Sequence, residues 1–213
     1  MSAGDDMDSG EFHATMDRYF ERTLAEHGPT ARGVDWNSDE AQEVRFRQLL
    51  KICDGKRGFS LIDYGCGYGA LAQYMAERGY DFTYCGFDVS ERMVALARER
   101  NSDPRHRRFV ASEADLAPAD YTVASGVFGL RFEIDDATWT KYVLETLETL
   151  NRLSRRGFSF NMLTRYSDPP LMRPDLYYGD PAFYFDLCKQ RFSRDVALLH
   201  DYQVYEFTIL VRK

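Results

Sequence analysis

The chain has 213 residues, enough for a single domain with a sizeable core, and its 44% hydrophobic and 29% charged residues are ordinary for a soluble globular protein. A formal charge of −7 argues against a duplex nucleic-acid partner, whose phosphates call for a surplus of cations. No apolar run reaches membrane-spanning length, and the acidic start Met-Ser-Ala-Gly-Asp-Asp-Met-Asp lacks the basic and apolar parts of a signal peptide. Cys53, Cys66, Cys85 and Cys188 form no CxxC pair, so free thiols in a reducing cytoplasm are expected, with no metal site.

In chain order, residues 1–10 read as a disordered acidic lead. Phe12, Met16, Tyr19, Phe20 and Leu24 then recur at helical spacing, which predicts a helix over 11–26 ended by Gly28-Pro29. Asn37 with Glu40 resembles a capping box and opens a helix to about Cys53, with Phe46, Leu49, Leu50 and Cys53 inward. Residues 11–54 are thus an N-terminal helical cap on a core at 55–213, within one domain at 1–213. From Phe59, apolar runs at 59–64, 82–88, 107–111, 121–125 and 158–163 alternate with helical stretches at 70–78, 91–100 and 137–154. This alternation predicts an α/β fold with a doubly wound parallel sheet covered on both faces.

The ending breaks the pattern. Val196–Tyr202 and Tyr205–Val211 have no helix between them and must pair as a hairpin, so at least one strand is antiparallel. Before them, residues 165–192 are irregular and rich in aromatics, holding Pro169, Pro170, Pro174 and Pro181. Such a segment above the strands' carboxyl ends is expected to form a substrate-side lid. The arginine clusters at 105–108 and 152–156 sit near strand starts and read as solvated loop charges.

Chemistry concentrates at Phe59–Gly69, where a β-favouring run ends in Asp63 and then in Gly65, Gly67 and Gly69 just before a helix. Glycine lets a ligand approach bare backbone, and the helix start supplies free N–H groups. An acid before the turn suits a ligand with a cationic end better than a phosphate. Gly65-Cys-Gly67-Tyr-Gly69-Ala70 by itself fits dinucleotide patterns as well. Asp88 ends the next strand, and in a doubly wound sheet adjacent strand ends meet at one crevice, where an acid can accept both ribose hydroxyls.

Together Asp63-Tyr-Gly65-Cys-Gly67-Tyr-Gly69, Gly86-Phe-Asp88-Val-Ser90 and the closing hairpin resemble class I S-adenosylmethionine-dependent methyltransferases, over about 55–213. The resemblance implies a Rossmann-like sheet of seven strands with the last antiparallel. It puts Asp63, Gly65, Cys66, Gly67 and Gly69 at the methionine moiety of S-adenosyl-L-methionine and Asp88 at the ribose. Val89 and Met93 would pack on adenine, Asp115 (with Glu113 as competitor) would face its amino group, and Ser125 would lie beside the sulfonium. Gly33-Val-Asp-Trp-Asn37 and the tail from His200 to Thr208 resemble a bacterial small-molecule subgroup of the family.

The expected reaction is methyl transfer to a small-molecule nitrogen or oxygen nucleophile. His200, the only histidine within a predicted strand, reads either as a satisfied core histidine or as a general base, for which its pKa range is suitable; Tyr177 and Tyr178 of the lid are the other catalytic candidates. Trp36 and Tyr19 are candidates to cover the cofactor, while Asn161 and Thr164 either face the crevice or satisfy backbone groups. Two alternatives share the cofactor: its intramolecular cyclisation, releasing methylthioadenosine, and binding without turnover. An NAD-dependent oxidoreductase would lack the terminal hairpin.

Overall fold

The apolar runs from Phe59 onward become one mixed sheet in the computed structural model, which describes residues 9–36, 38–101, 103 and 105–213. The elements are α1 (Ser9–His27), α2 (Asp39–Leu50), β1 (Phe59–Tyr64), α3 (Ala70–Glu77), β2 (Phe82–Phe87), α4 (Glu91–Arg100), β3 (Arg107–Val110), β4 (Ala119–Ala124), α5 (Asp136–Leu153), β5 (Ser154–Leu163), α6 (Pro181–Arg191), β6 (Asp195–Leu199) and β7 (Glu206–Arg212). The seven strands run in the order β3-β2-β1-β4-β5-β7-β6. β1 to β5 pair in parallel, and β7 is antiparallel to both β5 and β6. The chain leaves β1 in one direction and returns to β4 on its other side, so a crevice opens at that reversal.

The strands are near-continuous apolar runs because both sheet faces are covered. On one face Leu49, Leu50, Leu71, Met75 and Val94 of α2, α3 and α4 are almost fully buried; on the other are Trp139, Val143, Leu147 and Leu150 of α5 with Tyr184 and Cys188 of α6. Each such side chain contributes about 1.5–3 kcal/mol through burial. The α5 stripe at i, i+4, i+8 and i+11 is the helical periodicity of the sequence made physical. Asp135 starts that helix by accepting from the N–H groups of Ala137 and Thr138.

Several boundaries differ from expectation. Residues 1–8 of the expected lead (1–10) and Asn37 of the expected capping box lie outside the described residues, and Ser9 and Gly10 already belong to α1. Ser38 caps α2, its Oγ accepting from Ala41 N at 3.2 Å. The segment at 165–192 is not wholly irregular, because Asp180 caps α6 and Pro181 occupies its first turn, where a missing N–H costs nothing. β5 begins at Ser154, four residues early. The first hairpin arm ends at Leu199, three residues early, while the second keeps its length and shifts by one residue, with a turn at 200–205 that includes Gln203 at φ 59°. Among the described residues no helix is long and apolar enough to cross a membrane.

Candidate active site

β1 ends in a turn bound to its neighbour. The N–H groups of Gly65 and Cys66 both donate to Phe87 O, at 2.8 and 2.9 Å, which ties the glycine turn to the end of β2. One residue on, Asp88 Oδ2 accepts from Gly67 N at 2.8 Å and Oδ1 from Ser90 N at 3.0 Å. Backbone on both sides thus fixes the carboxylate. Gly65 sits at φ 79°, and a Cβ there would come within 2.6 Å of Val127 Cγ2, so only glycine fits.

Above these strand ends lies a cavity of about 500 Å³. Its floor is the glycine turn and the tips of β1, β2 and β4. Its roof comes from the N-terminal segment, with Phe12, Met16 and Phe20 of α1 and Trp36 just beyond. Four carboxylates line it, Asp17, Asp63, Asp88 and Glu113; among the described lining residues there is no Lys, Arg or His. Glu113 is paired, accepting from Tyr64 Oη at 2.9 Å and from Arg152 at 2.8 Å.

Asp63 and Asp88 accept instead from neutral donors, Tyr84 Oη and the backbone N–H groups of Gly67 and Ser90. Burial pushes the Asp63 carboxyl up to about 7, against a 2.6 Å hydrogen bond from Tyr84 Oη that works the other way, with Asp88 adding to the rise. Asp88 is half-buried with its open side on the cavity; burial raises it to about 6, its two backbone donors hold it down, and Asp17 pushes it up. Carboxyls raised in this way are returned to their ionised form by a ligand that brings positive charge.

The structure gathers most of the predicted cofactor residues. Asp63, Gly65, Cys66, Gly67, Asp88, Val89, Met93 and Ser125 all line the cavity. Gly69 does not; it is the N-cap of α3 and packs against Asn101, Phe109 and Ala97. Asp115 is also off the cavity. It closes a short 3₁₀ turn whose carbonyl oxygen accepts from Arg108, while Ser112 and Glu113, earlier in that turn, face inward. Ser125 Oγ is buried without a hydrogen-bond partner, an orphaned polar atom beside space for a ligand.

The catalytic candidates are not brought there. His200 is exposed in the turn after β6 rather than within a strand, near the rings of Tyr166 and Phe207. Tyr177 is buried on the α5 side of the sheet, its hydroxyl 2.8 Å from Tyr184 Oη and 3.3 Å from Thr140 Oγ1. Tyr178 Oη accepts from Arg173 N. No residue of 165–192 lines the cavity: Tyr177, Tyr184 and Phe185 of that segment pack into the core next to α5, while Tyr166 and Phe183 are exposed. Of the proposed covers, Trp36 lines the cavity and Tyr19 lies outside it, against Arg173.

Asp17, Gln42 and Tyr142 line the cavity without having been singled out in the sequence. Asp17 sits one position after Met16 of the inward face of α1, a signal that was available. Gln42 Oε1 accepts from Tyr68 Oη at 3.2 Å, a pairing no local pattern encodes. The glycine cradle, the orphaned Ser125 hydroxyl and the acidic lining fit S-adenosylmethionine, which carries a sulfonium, an ammonium and a ribose.

Comparison with known proteins agrees with this geometry. A family model described as a methyltransferase domain matches residues 61–155. A Mycobacterium tuberculosis protein named as a putative methyltransferase is 51% identical over 164 residues, 77% of this chain and 99% of that protein. The fold is shared with magnesium protoporphyrin IX methyltransferase from Synechocystis, solved with S-adenosylhomocysteine, at TM-score 0.63 and 16% identity over 96% of this chain and 97% of that one. It is shared also with a Burkholderia thailandensis 1,6-didemethyltoxoflavin-N1-methyltransferase, at TM-score 0.65 and 19% identity over 100% and 92%. With the sheet order, the glycine cradle and the acid at the end of β2, these matches make the chain a member of the class I S-adenosylmethionine-dependent methyltransferases, an enzyme whose cofactor is S-adenosylmethionine.

Proposed function

We propose that the enzyme methylates a small-molecule acceptor, and that the nucleophile is nitrogen in preference to oxygen. The observation that carries this is the cavity itself, roofed by Phe12, Met16, Phe20 and Trp36 and lined by no histidine or lysine among the described residues. A roof of this kind suits an acceptor small enough to enter, and the two structural neighbours are themselves named for small molecules, magnesium protoporphyrin IX and 1,6-didemethyltoxoflavin. A nitrogen acceptor needs only an unprotonated lone pair, whereas a hydroxyl needs a base. Of the lining acids Asp63 and Asp88 are given to the cofactor and Glu113 is paired with Arg152, which leaves Asp17 as the acid a hydroxyl acceptor would have to use. His200, Tyr177 and Tyr178 lie off the cavity and are not carried into this proposal.

When bound, the cofactor supplies an electrophilic methyl group. The chain's own residues hold and orient. Asp88 would accept the ribose hydroxyls, Gly65, Cys66 and Gly67 would lie along the methionine moiety with Asp63 toward its ammonium, and Val89 and Met93 would flank adenine. Ser112 and Glu113 replace Asp115 as candidates for the adenine amino group, and Ser125 Oγ offers its free hydrogen-bonding capacity on the sulfonium side. The apolar roof excludes water, and methyl transfer by displacement draws most of its rate from such positioning. The four free thiols, Cys53, Cys66, Cys85 and Cys188, suit a reducing cytoplasm.

The test is mass spectrometry of a metabolite extract incubated with methyl-labelled cofactor. Label in an amine or ring nitrogen, with S-adenosylhomocysteine released, is the expected result. Methylthioadenosine in place of S-adenosylhomocysteine would instead establish cyclisation, and cofactor binding without turnover would establish a binding protein.

A further inference from the structure

A buried polar chain joins the cap to the cavity wall without itself touching the cavity. Arg45 of α2 is 7% exposed, Glu206 of β7 2% and Asn161 of β5 1%. Arg45 Nε donates to Glu206 Oε1 at 2.8 Å, with Nη2 2.6 Å from the same oxygen, and Nη1 donates to Ala41 O at 2.6 Å. Glu206 Oε2 accepts from Asn161 Nδ2 at 2.5 Å, and Asn161 Oδ1 accepts from Gly126 N at 2.8 Å. The guanidinium carbon of Arg45 also lies 4.2 Å from the centre of a Trp36 ring. Trp36 closes the loop, since a Cβ on Gly126 (φ 75°) would stand 2.6 Å from Trp36 Cζ2.

Trp36 and Gly126 line the cavity; Arg45, Glu206 and Asn161 do not. A buried ion pair is a poor source of net stability, because desolvation cancels much of the attraction and an apolar replacement is often as good. Here both ends of the pair are spent on two wall elements that come from distant parts of the chain. The charge on Arg45 faces the Trp36 ring, and the dipole of Asn161, oriented by Glu206, fixes the Gly126 amide.

We propose that Arg45, Glu206 and Asn161 act as positioning residues that hold Trp36 against Gly126 and so set the shape of the cavity wall next to Ser125. Neither Trp36 nor Gly126 has another side-chain partner that could set this contact among the hydrogen bonds and ring contacts described. The cap is thereby part of the site's geometry as well as its cover.

The test uses the full chain labelled with ¹⁵N and reads the Gly126 amide and the Trp36 indole in heteronuclear spectra, with S-adenosylhomocysteine affinity by calorimetry. Glu206→Gln and Arg45→Lys are the informative variants, because neither residue touches Gly126 and Arg45→Lys keeps the charge should Glu206→Gln fold poorly. Both are expected to shift the two wall resonances together and to weaken S-adenosylhomocysteine about tenfold, the scale of one neutral hydrogen bond. Ser159→Ala is the control: it removes a buried bond to Leu49 O two residues along β5 and should lower Tm while leaving both resonances in place. Variants that lose Tm but keep the wall resonances and the affinity would overturn the proposal and leave a purely structural ion pair. The affinity arm rests on the cavity being the cofactor site. Failure of the unsubstituted protein to bind S-adenosylhomocysteine would count against that assignment, and the resonance arm would still decide the relay.

Discussion

Asp88 is placed so that ligand binding and protonation compete for it. Its oxygens already accept from Gly67 N and Ser90 N, which leaves lone pairs open toward the cavity for hydroxyl donors. Asp88→Ala should weaken S-adenosylhomocysteine by about 1–3 kcal/mol, the scale of losing hydrogen bonds to a charged group. Calorimetry on the folded variant checks this, and unchanged affinity would remove Asp88 from the ribose. Because the carboxyl titrates near 6 in the free protein, affinity should also fall as pH drops through about 6, where protonation abolishes the better acceptor.

The same burial has a sign for stability. Asp63 and Asp88 are raised to about 7 and about 6 from an ordinary value of 3.8, so between these values the folded chain binds more protons than the unfolded one. Their contribution is fully present below 3.8 and is lost as pH rises through 6 and 7. Asp63→Asn keeps an oxygen to accept from Tyr84 and removes the charge. It should raise the Tm of the ligand-free protein at neutral pH, by about 1–3 kcal/mol of stability, while weakening S-adenosylhomocysteine. A ligand-free Tm that does not rise, or a pH slope between about 5 and 7.5 that stays as steep as before, would refute this account. Both acids were legible in the sequence because each ends a strand beside a local motif. Of the two acids weighed for adenine, Asp115 lies off the cavity and Glu113 lines it, because a 3₁₀ turn at 113–115 sets which of them faces inward, and such a turn leaves no periodic trace.

At the scale of elements, legibility followed how local each signal was. α5 was readable from its four-residue stripe, and Asp135 starts it with two backbone bonds. Asp135→Ala should therefore cost about 1 kcal/mol, as N-cap removal does, seen as a lower Tm with S-adenosylhomocysteine affinity intact; a change in affinity would mean that the helix start also shapes the site. α6 was hidden because Pro181 reads as a breaker, although it follows a capping Asp180 and is tolerated in a first turn. His200 was read as a strand residue because β-favouring residues continue past Leu199, where the backbone in fact turns. The Arg45–Glu206 pair, 161 residues apart in sequence, has no local signature at all.

For the whole molecule, the roof over the cavity is the candidate gate. α1 and the 3₁₀ turn at Arg32–Val34 cover the cavity, held by Phe12 against Trp139 and Tyr142, by Thr23 Oγ1 donating to Gly33 O at 2.8 Å, and by Arg173 bridging Asp35 and Asp175. The Arg173 contacts are exposed and individually weak, whereas the central strands are buried on both faces. The roof is the element most readily displaced to admit a ligand as large as S-adenosylmethionine, because local opening draws on the least stable contacts. Bound ligand then adds RT ln(1 + [L]/Kd) to the closed state, about 2.7 kcal/mol at a hundredfold excess over Kd. Hydrogen exchange of the α1 amides should accordingly slow when S-adenosylhomocysteine is added and not when NADH is added. Arg173→Ala should speed exchange in α1 and at 32–34 while β1 and β4 keep their protection. Exchange in α1 that ignores S-adenosylhomocysteine would mean that the roof is not the gate, and entry would then have to pass between the tips of β2 and β3, where Val89 is exposed.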